Sequence, residues 1–169
     1  MGEMFEGYEK LPKDTIKLFL DAKQTCAVAE SCTGGLISHL LTQIPGSSKV
    51  FMGSLVAYSN DFKIKLLKVS PDTIARHSTE SPQVTKEMAI NMRLMTGAHV
   101  ACATNGIAGP GPGHNLAIPI GQVFIALSSE HTVECHQFQF FGRREEIKLK
   151  ASLQAITLLN DYVKNIHVK

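Results

Sequence analysis

The stretch Thr25-Cys26-Ala27-Val28-Ala29-Glu30-Ser31-Cys32-Thr33-Gly34-Gly35 reads as a buried strand running straight into a helix. Residues 25–29 form a short apolar run, the mark of a strand covered on both faces. From about Thr33 to Gln43 the apolar residues Leu36, Ile37, Leu40 and Leu41 recur at helical spacing, and Pro45-Gly46 stops the run. A buried strand opening directly into a helix is the unit of an α/β fold. The alternation continues outward on both sides. Helices are predicted over 12–23, 63–67, 71–77, 82–96 and 143–163, and strands over 50–58, 99–104, 122–128 and 132–141. Ser81-Pro82 supplies an N-cap with proline at the first helical position. The pattern predicts a three-layer α/β/α sandwich, and the late pair of strands, a hairpin, makes the sheet mixed.

Bulk properties narrow the function. A chain of 169 residues, 44% hydrophobic and 19% charged, is expected to form one globular domain over 1–169. A net charge of +2, with basic residues spread along the chain, argues against nucleic acid as a partner. No apolar run reaches the roughly 20 residues of a membrane span. The start Met1-Gly2-Glu3-Met4-Phe5-Glu6 has no apolar signal-peptide core, and the four cysteines show no C-x-x-C spacing, so a reducing cytoplasm is expected. The seven histidines contain no H-E-x-x-H and no helical ligand pair, so no metal is expected.

Chemistry is concentrated in three segments. Ser31 stands at the carboxyl end of the first predicted strand, where open α/β sheets place ligands. The N–H groups of Thr33, Gly34 and Gly35 would point back at it, fit for an anion or an oxyanion. On spacing alone, Ser31 or Thr33 reads equally well as a helix cap. Cys32, beside a helix N-terminus, is a rival nucleophile. The second segment, Tyr58-Ser59-Asn60-Asp61-Phe62-Lys63, ends the next strand, so Tyr58 and Lys63 are placed to converge on Ser31. A serine needs a base, and a lysine of depressed pKa can serve. For Lys63 in isolation, a solvated helix position is the simpler reading. The third segment, Asn105 to Gly113, holds four glycines in nine residues directly after a buried strand. It matches neither a Walker A loop nor G-x-G-x-x-G, but its prolines stiffen it and its N–H groups suit phosphate.

Together, Ala29–Gly35, Pro45-Gly46-Ser47-Ser48, Tyr58-Ser59-Asn60 with Lys63, Gly106–Gly111, Pro119 with Gly121, and Gly142 with Arg144 resemble the C-terminal domain of the CinA family. The resemblance spans about residues 12–160. It implies a three-layer α/β/α sandwich, a homo-oligomer, and hydrolysis of the carboxamide of nicotinamide mononucleotide to nicotinate mononucleotide and ammonia. It also implies Ser31 as nucleophile completed by Tyr58 and Lys63. The mononucleotide would lie against Thr33, Gly34, Gly35, Asn105, Gly106, Gly109, Gly111 and Arg144, with no cofactor or metal. Longer relatives carry a molybdopterin-binding-like N-terminal domain, for which this sequence is too short. Four positions depart from the family pattern. Asn105 stands for a threonine, Arg143 for an acid, Lys148 for an arginine, and Glu80 for a small or apolar residue. Asn105, Arg143 and Lys148 leave open a second reading, a non-catalytic nucleotide- or partner-binding protein of the same fold.

Overall fold

The computed structural model of the chain describes residues 7–111 and 117–167. Five strands, β1 (Cys26–Glu30), β2 (Phe51–Val56), β3 (Val100–Gly106), β4 (Gln122–Ser128) and β5 (Val133–Gln139), form one sheet in the order β2-β1-β3-β4-β5. β1 pairs in parallel with β2 and β3, whereas β4 runs antiparallel to both β3 and β5. The sheet is therefore mixed, as the late hairpin predicts.

Helices α1 (Lys10–Ala22), α2 (Leu36–Thr42), α3 (Asn60–Lys65), α4 (Pro71–His77), α5 (Pro82–Thr96) and α6 (Arg144–His167) cover the two faces. Strand alternation decides which residues meet which layer. Cys26 and Val28 of β1 and Val100 and Cys102 of β3 join Phe19, Leu41 and Leu159 in a core beneath α1, α2 and α6. Their neighbours Ala27, Ala29, Ala101 and Ala103 face the other way, onto Val84, Met88 and Met92 of α5. The alanine-lined face lets α5 seat its methionines directly against the sheet.

The sequence boundaries shift for physical reasons. α1 begins at Lys10 rather than 12, because Pro12 falls in the first turn, where a missing N–H costs nothing. α2 begins only at Leu36: residues 32–35 form turns, and Gly35 stands as N-cap at φ 92°, in the left-handed region. The strands predicted over 50–58 and 132–141 shorten to Phe51–Val56 and Val133–Gln139, while β3 extends through Gly106.

Candidate active site

The two parallel ladders bring β1 between β2 and β3, and the chain leaves β1 through α2 but returns to β3 through α5. The carboxyl ends of β1 and β3 thus border a topological crevice. Ser31 sits there: its N–H donates to the Thr104 carbonyl at 3.0 Å, and the preceding Glu30 carbonyl accepts from the Ala57 N–H at 2.8 Å. The backbone around Ser31 is pinned by both neighbouring strands.

Neither Ser31 nor Thr33 caps α2. Thr33 Oγ1 shares a hydrogen bond of 2.8 Å with Thr104 Oγ1, and Ser31 Oγ is hydrogen-bonded to Lys63 Nζ at 3.0 Å. Glu30 provides the cap instead. Strand alternation turns its side chain toward the α2 face, where Oε2 accepts from the N–H of Gly35 at 2.8 Å and of Ile37 at 3.2 Å. Its Oε1 accepts from the N–H of Ser38 at 3.0 Å and the Ser38 hydroxyl at 2.5 Å. The positive end of α2 is therefore neutralised from within, and the Gly34 N–H is taken by the Ser31 carbonyl at 3.2 Å. Thr33, Gly34 and Gly35, expected to touch substrate, do not line the cleft. The Cys32 N–H interacts with its own thiol, whereas the N–H of Thr33 has no partner among the described residues; of the two, only Cys32 borders the cleft.

Lys63 reaches Ser31 because α3 starts at a fixed point. Ser59 is its N-cap, accepting from the Phe62 N–H at 3.2 Å, which turns Lys63 inward while Asp61 and Lys65 pair in solvent at 2.7 Å. Lys63 is 1% exposed. Burial lowers its pKa from the ordinary 10.5, and the negative charge of Glu80 opposes part of that shift. A buried lysine of lowered pKa beside a serine hydroxyl is the arrangement a Ser–Lys pair requires. Burial pushes the Cys32 thiol up to about 12, which removes it as a thiolate nucleophile.

The pair opens into a cleft of about 300 Å³, bordered also by Tyr58, Glu80, Ile107, Gly109 and Arg144. Tyr58 is 60% exposed, and its hydroxyl accepts from Arg144 Nη2 at 2.8 Å. It meets Arg144 at the rim rather than the Ser31–Lys63 hydrogen bond. Arg144 Nη1 also donates to the Gly109 carbonyl, so one guanidinium ties the start of α6 to the glycine-rich loop. Gly106, Gly109 and Gly111 border the cleft as expected, while residues 112–113 of that loop lie outside the described residues. At Gly106 a side chain is excluded, since a Cβ would stand 2.7 Å from Val123 Cα on the paired strand.

Asn105 does not line the cleft. It alternates to the α5 side of β3, where Nδ2 donates to the Thr79 carbonyl at 2.6 Å. The same anchored turn carries Glu80 into the cleft, so two of the family departures meet in one place. Arg143 pairs on the surface with Glu145 at 3.2 Å and Glu146 at 3.6 Å. Lys148 lies over the turn after Ser31, its Nζ 3.3 Å from where a Cβ on Gly34 would stand. Sequence reading did not assign Glu80 to the site. Its signal is an acid set between two polar residues directly before the Ser81-Pro82 cap.

Among the described residues no group of three or more His, Cys, Asp or Glu side chains is placed to hold a metal, and no helix is long and apolar enough to cross a membrane.

The family profile of the CinA C-terminal domain matches residues 8–163. A CinA-like protein of Thermotoga maritima is 40% identical over 156 residues, covering 92% of this chain and 38% of that protein. A putative competence-damage inducible protein of Moorella thermoacetica is 43% identical over 135 residues, covering 80% of this chain and 32% of its own length. The chain thus spans well under half the length of these curated relatives. Among solved structures, a CinA superfamily protein of Klebsiella pneumoniae superposes with a TM-score of 0.90 at 26% identity, covering 95% of this chain and 99% of its own. A competence/damage inducible protein of Agrobacterium tumefaciens does so at 0.85 and 35% identity, covering 89% and 92%. With its fold and nearly all of its length accounted for by these matches, the chain belongs to the CinA C-terminal domain family.

Proposed function

We propose that this chain hydrolyses the carboxamide of nicotinamide mononucleotide, releasing nicotinate mononucleotide and ammonia, with Ser31 as nucleophile and Lys63 as its base. The observation that carries the reading is the buried Lys63 Nζ at 3.0 Å from Ser31 Oγ, at the mouth of a cleft. Uncharged Lys63 takes the Ser31 proton as Oγ adds to the carboxamide carbon. The Cys32 N–H, directly after Ser31 and bordering the cleft, is the backbone donor offered to the oxyanion that forms. The C–N bond then breaks, the ammonia leaving with the proton from Lys63. Water attacks the acyl-enzyme, Lys63 again carrying the proton, and Ser31 is regenerated.

At the far end, the Arg144 guanidinium suits a phosphate, and the Ala108–Gly111 part of the loop borders the same end of the cleft. Tyr58 and Gly109 hold Arg144 in place for that contact. Two of the departures that would favour a purely binding protein lie away from the central pair: Arg143 is on the surface, and Asn105 faces α5. The test is ammonia release from nicotinamide mononucleotide by the wild-type chain and by Ser31→Ala. Turnover is expected in the first and lost in the second; undiminished turnover in the variant would remove Ser31 from the reaction.

A further inference from the structure

Glu80 carries a carboxylate with one oxygen that the described residues leave unpaired. The residue is 8% exposed, and its Oε2 is sealed from solvent with no hydrogen-bond partner. No ion pair reaches it among the described residues, although Lys63 borders the same cleft. A buried acceptor without a donor is costly, so the arrangement calls for an explanation.

The position of Glu80 is held from both sides. The Thr79 carbonyl before it accepts from buried Asn105, and Ser81 after it caps α5 by accepting from the Val84 N–H at 3.3 Å. The side chain borders the cleft that contains Ser31 and Lys63. Its other oxygen, Oε1, is not sealed in this way and is the one a ligand in that space can reach, while the soft last torsion of glutamate lets the two oxygens exchange places.

A carboxylate only accepts hydrogen bonds, so whatever completes this site must bring a donor. Resting on the function proposed above, the group that must lie beside Ser31 is the scissile carboxamide, whose nitrogen carries two N–H bonds. We propose that Glu80 is a specificity-determining residue that accepts a hydrogen bond from the NH₂ of the scissile carboxamide, selecting primary amides over esters. An ester at the same carbon offers no donor and leaves the buried carboxylate unpaired, the situation that gives polar sites their strongest discrimination.

The test compares kcat/KM on nicotinamide mononucleotide and on the methyl ester of nicotinate mononucleotide, for wild type, Glu80→Gln and Glu80→Val. Both compounds carry the same pyridinium and phosphate, and both need the same Ser31–Lys63 pair. A change in general binding therefore moves both rates together and cancels in their ratio, and the pH profile of each variant reads separately any change in Lys63 protonation. The amide-to-ester ratio is expected to fall roughly 10- to 100-fold in Glu80→Val, the worth of a hydrogen bond to a charged group. Glu80→Gln, which keeps an acceptor oxygen, should restore part of it. An unchanged ratio in an active Glu80→Val would overturn this role while leaving the amidase reading intact. A folded wild-type chain inert toward both compounds would overturn the amidase reading, and the role of Glu80 with it.

Discussion

Replacing Glu30 by glutamine tests whether the fold depends on one carboxylate. Glu30 is 0% exposed and receives the N–H groups of Gly35, Ile37 and Ser38 together with the Ser38 hydroxyl. Two donors converge on each oxygen. Glutamine keeps the shape but only one acceptor, so its NH₂ must face one of the two donor sets whichever way the amide turns. If it faces Gly35 and Ile37, two backbone N–H groups lose their acceptor. If it faces Ser38, that N–H is orphaned, while the hydroxyl keeps Ser54 Oγ at 2.5 Å. A buried donor without a partner costs about 1–3 kcal/mol. The lost charge at the first turn of α2 adds about 0.3–1 kcal/mol, or more in so buried a position. With the cheaper orientation, which orphans one N–H, the sum is about 1–4 kcal/mol, a large fraction of the roughly 5–15 kcal/mol typical of a domain. Urea unfolding followed by far-UV circular dichroism, with matched slopes, reads the difference directly. A loss below about 1 kcal/mol would mean that water or a rearranged turn satisfies these donors, and the capping role assigned to Glu30 would be wrong.

The lowered pKa of Lys63 sets a pH dependence. The neutral base grows in as pH rises through that pKa, so the kcat/KM for amide turnover should climb with pH and level off, its midpoint below the ordinary 10.5. Between the folded-state pKa and 10.5 the unfolded chain binds more protons, so stability should also rise with pH across that window. A midpoint at or above 10.5 would contradict the assignment of Lys63 as the buried base. Lys63→Met should reduce turnover roughly 10²- to 10⁴-fold, the usual worth of a general base, in a protein whose unfolding remains cooperative. Burial raises the thiols of Cys26 and Cys32 to about 12 and that of Cys135 to about 11. At pH 8 the native chain should therefore react with a thiol-specific chromogenic disulfide far more slowly than the urea-unfolded chain; equal rates would place a reactive thiolate in the site. Gly106→Ala should destabilise by about 1–3 kcal/mol, since its Cβ would press on the Val123 backbone; a neutral effect would show that β3 and β4 can separate locally.

The layers were legible because apolar spacing alone distinguishes α5, with Val84, Met88 and Met92 at helical intervals, from β1, with its unbroken apolar run. The convergence of Ser31 and Lys63 was legible too: each follows closely on a strand, and parallel neighbours end at the same edge. Contacts across long stretches of chain were less accessible. Nothing local to Tyr58 announces Arg144, 86 residues away, and that pairing depends on where α6 begins relative to β2. The direction of Asn105 is different in kind. Thr104 faces α2 and meets Thr33, so the next residue must face α5. Alternation contained that answer, but the glycine-rich loop beginning one residue later drew Asn105 toward a ligand-binding reading. The role of Glu30 had the same origin: a donor-rich turn after Ser31 was read as waiting for substrate, although the residue before Ser31 was an acid on the side that fills it.

Two buried carboxylates lie near the Ser31–Lys63 hydrogen bond, one before Ser31 in the chain and one bordering the same cleft, and hydrogen-bond accounting separates what they do. Glu30 receives four donors from α2 and has its acceptor capacity used within the fold. It holds the turn that carries Ser31, and it leaves the helix end with little field for an outside anion. Glu80 is almost as deeply placed yet receives no donor from the described residues, on a turn fastened by Asn105 on one side and Ser81 on the other. Disorder would have been the inexpensive way to relieve such a group; the anchoring prevents it. A fold that satisfies one acid completely and withholds donors from another bordering the same cleft is what the proposed hydrogen bond from a ligand to Glu80 accounts for.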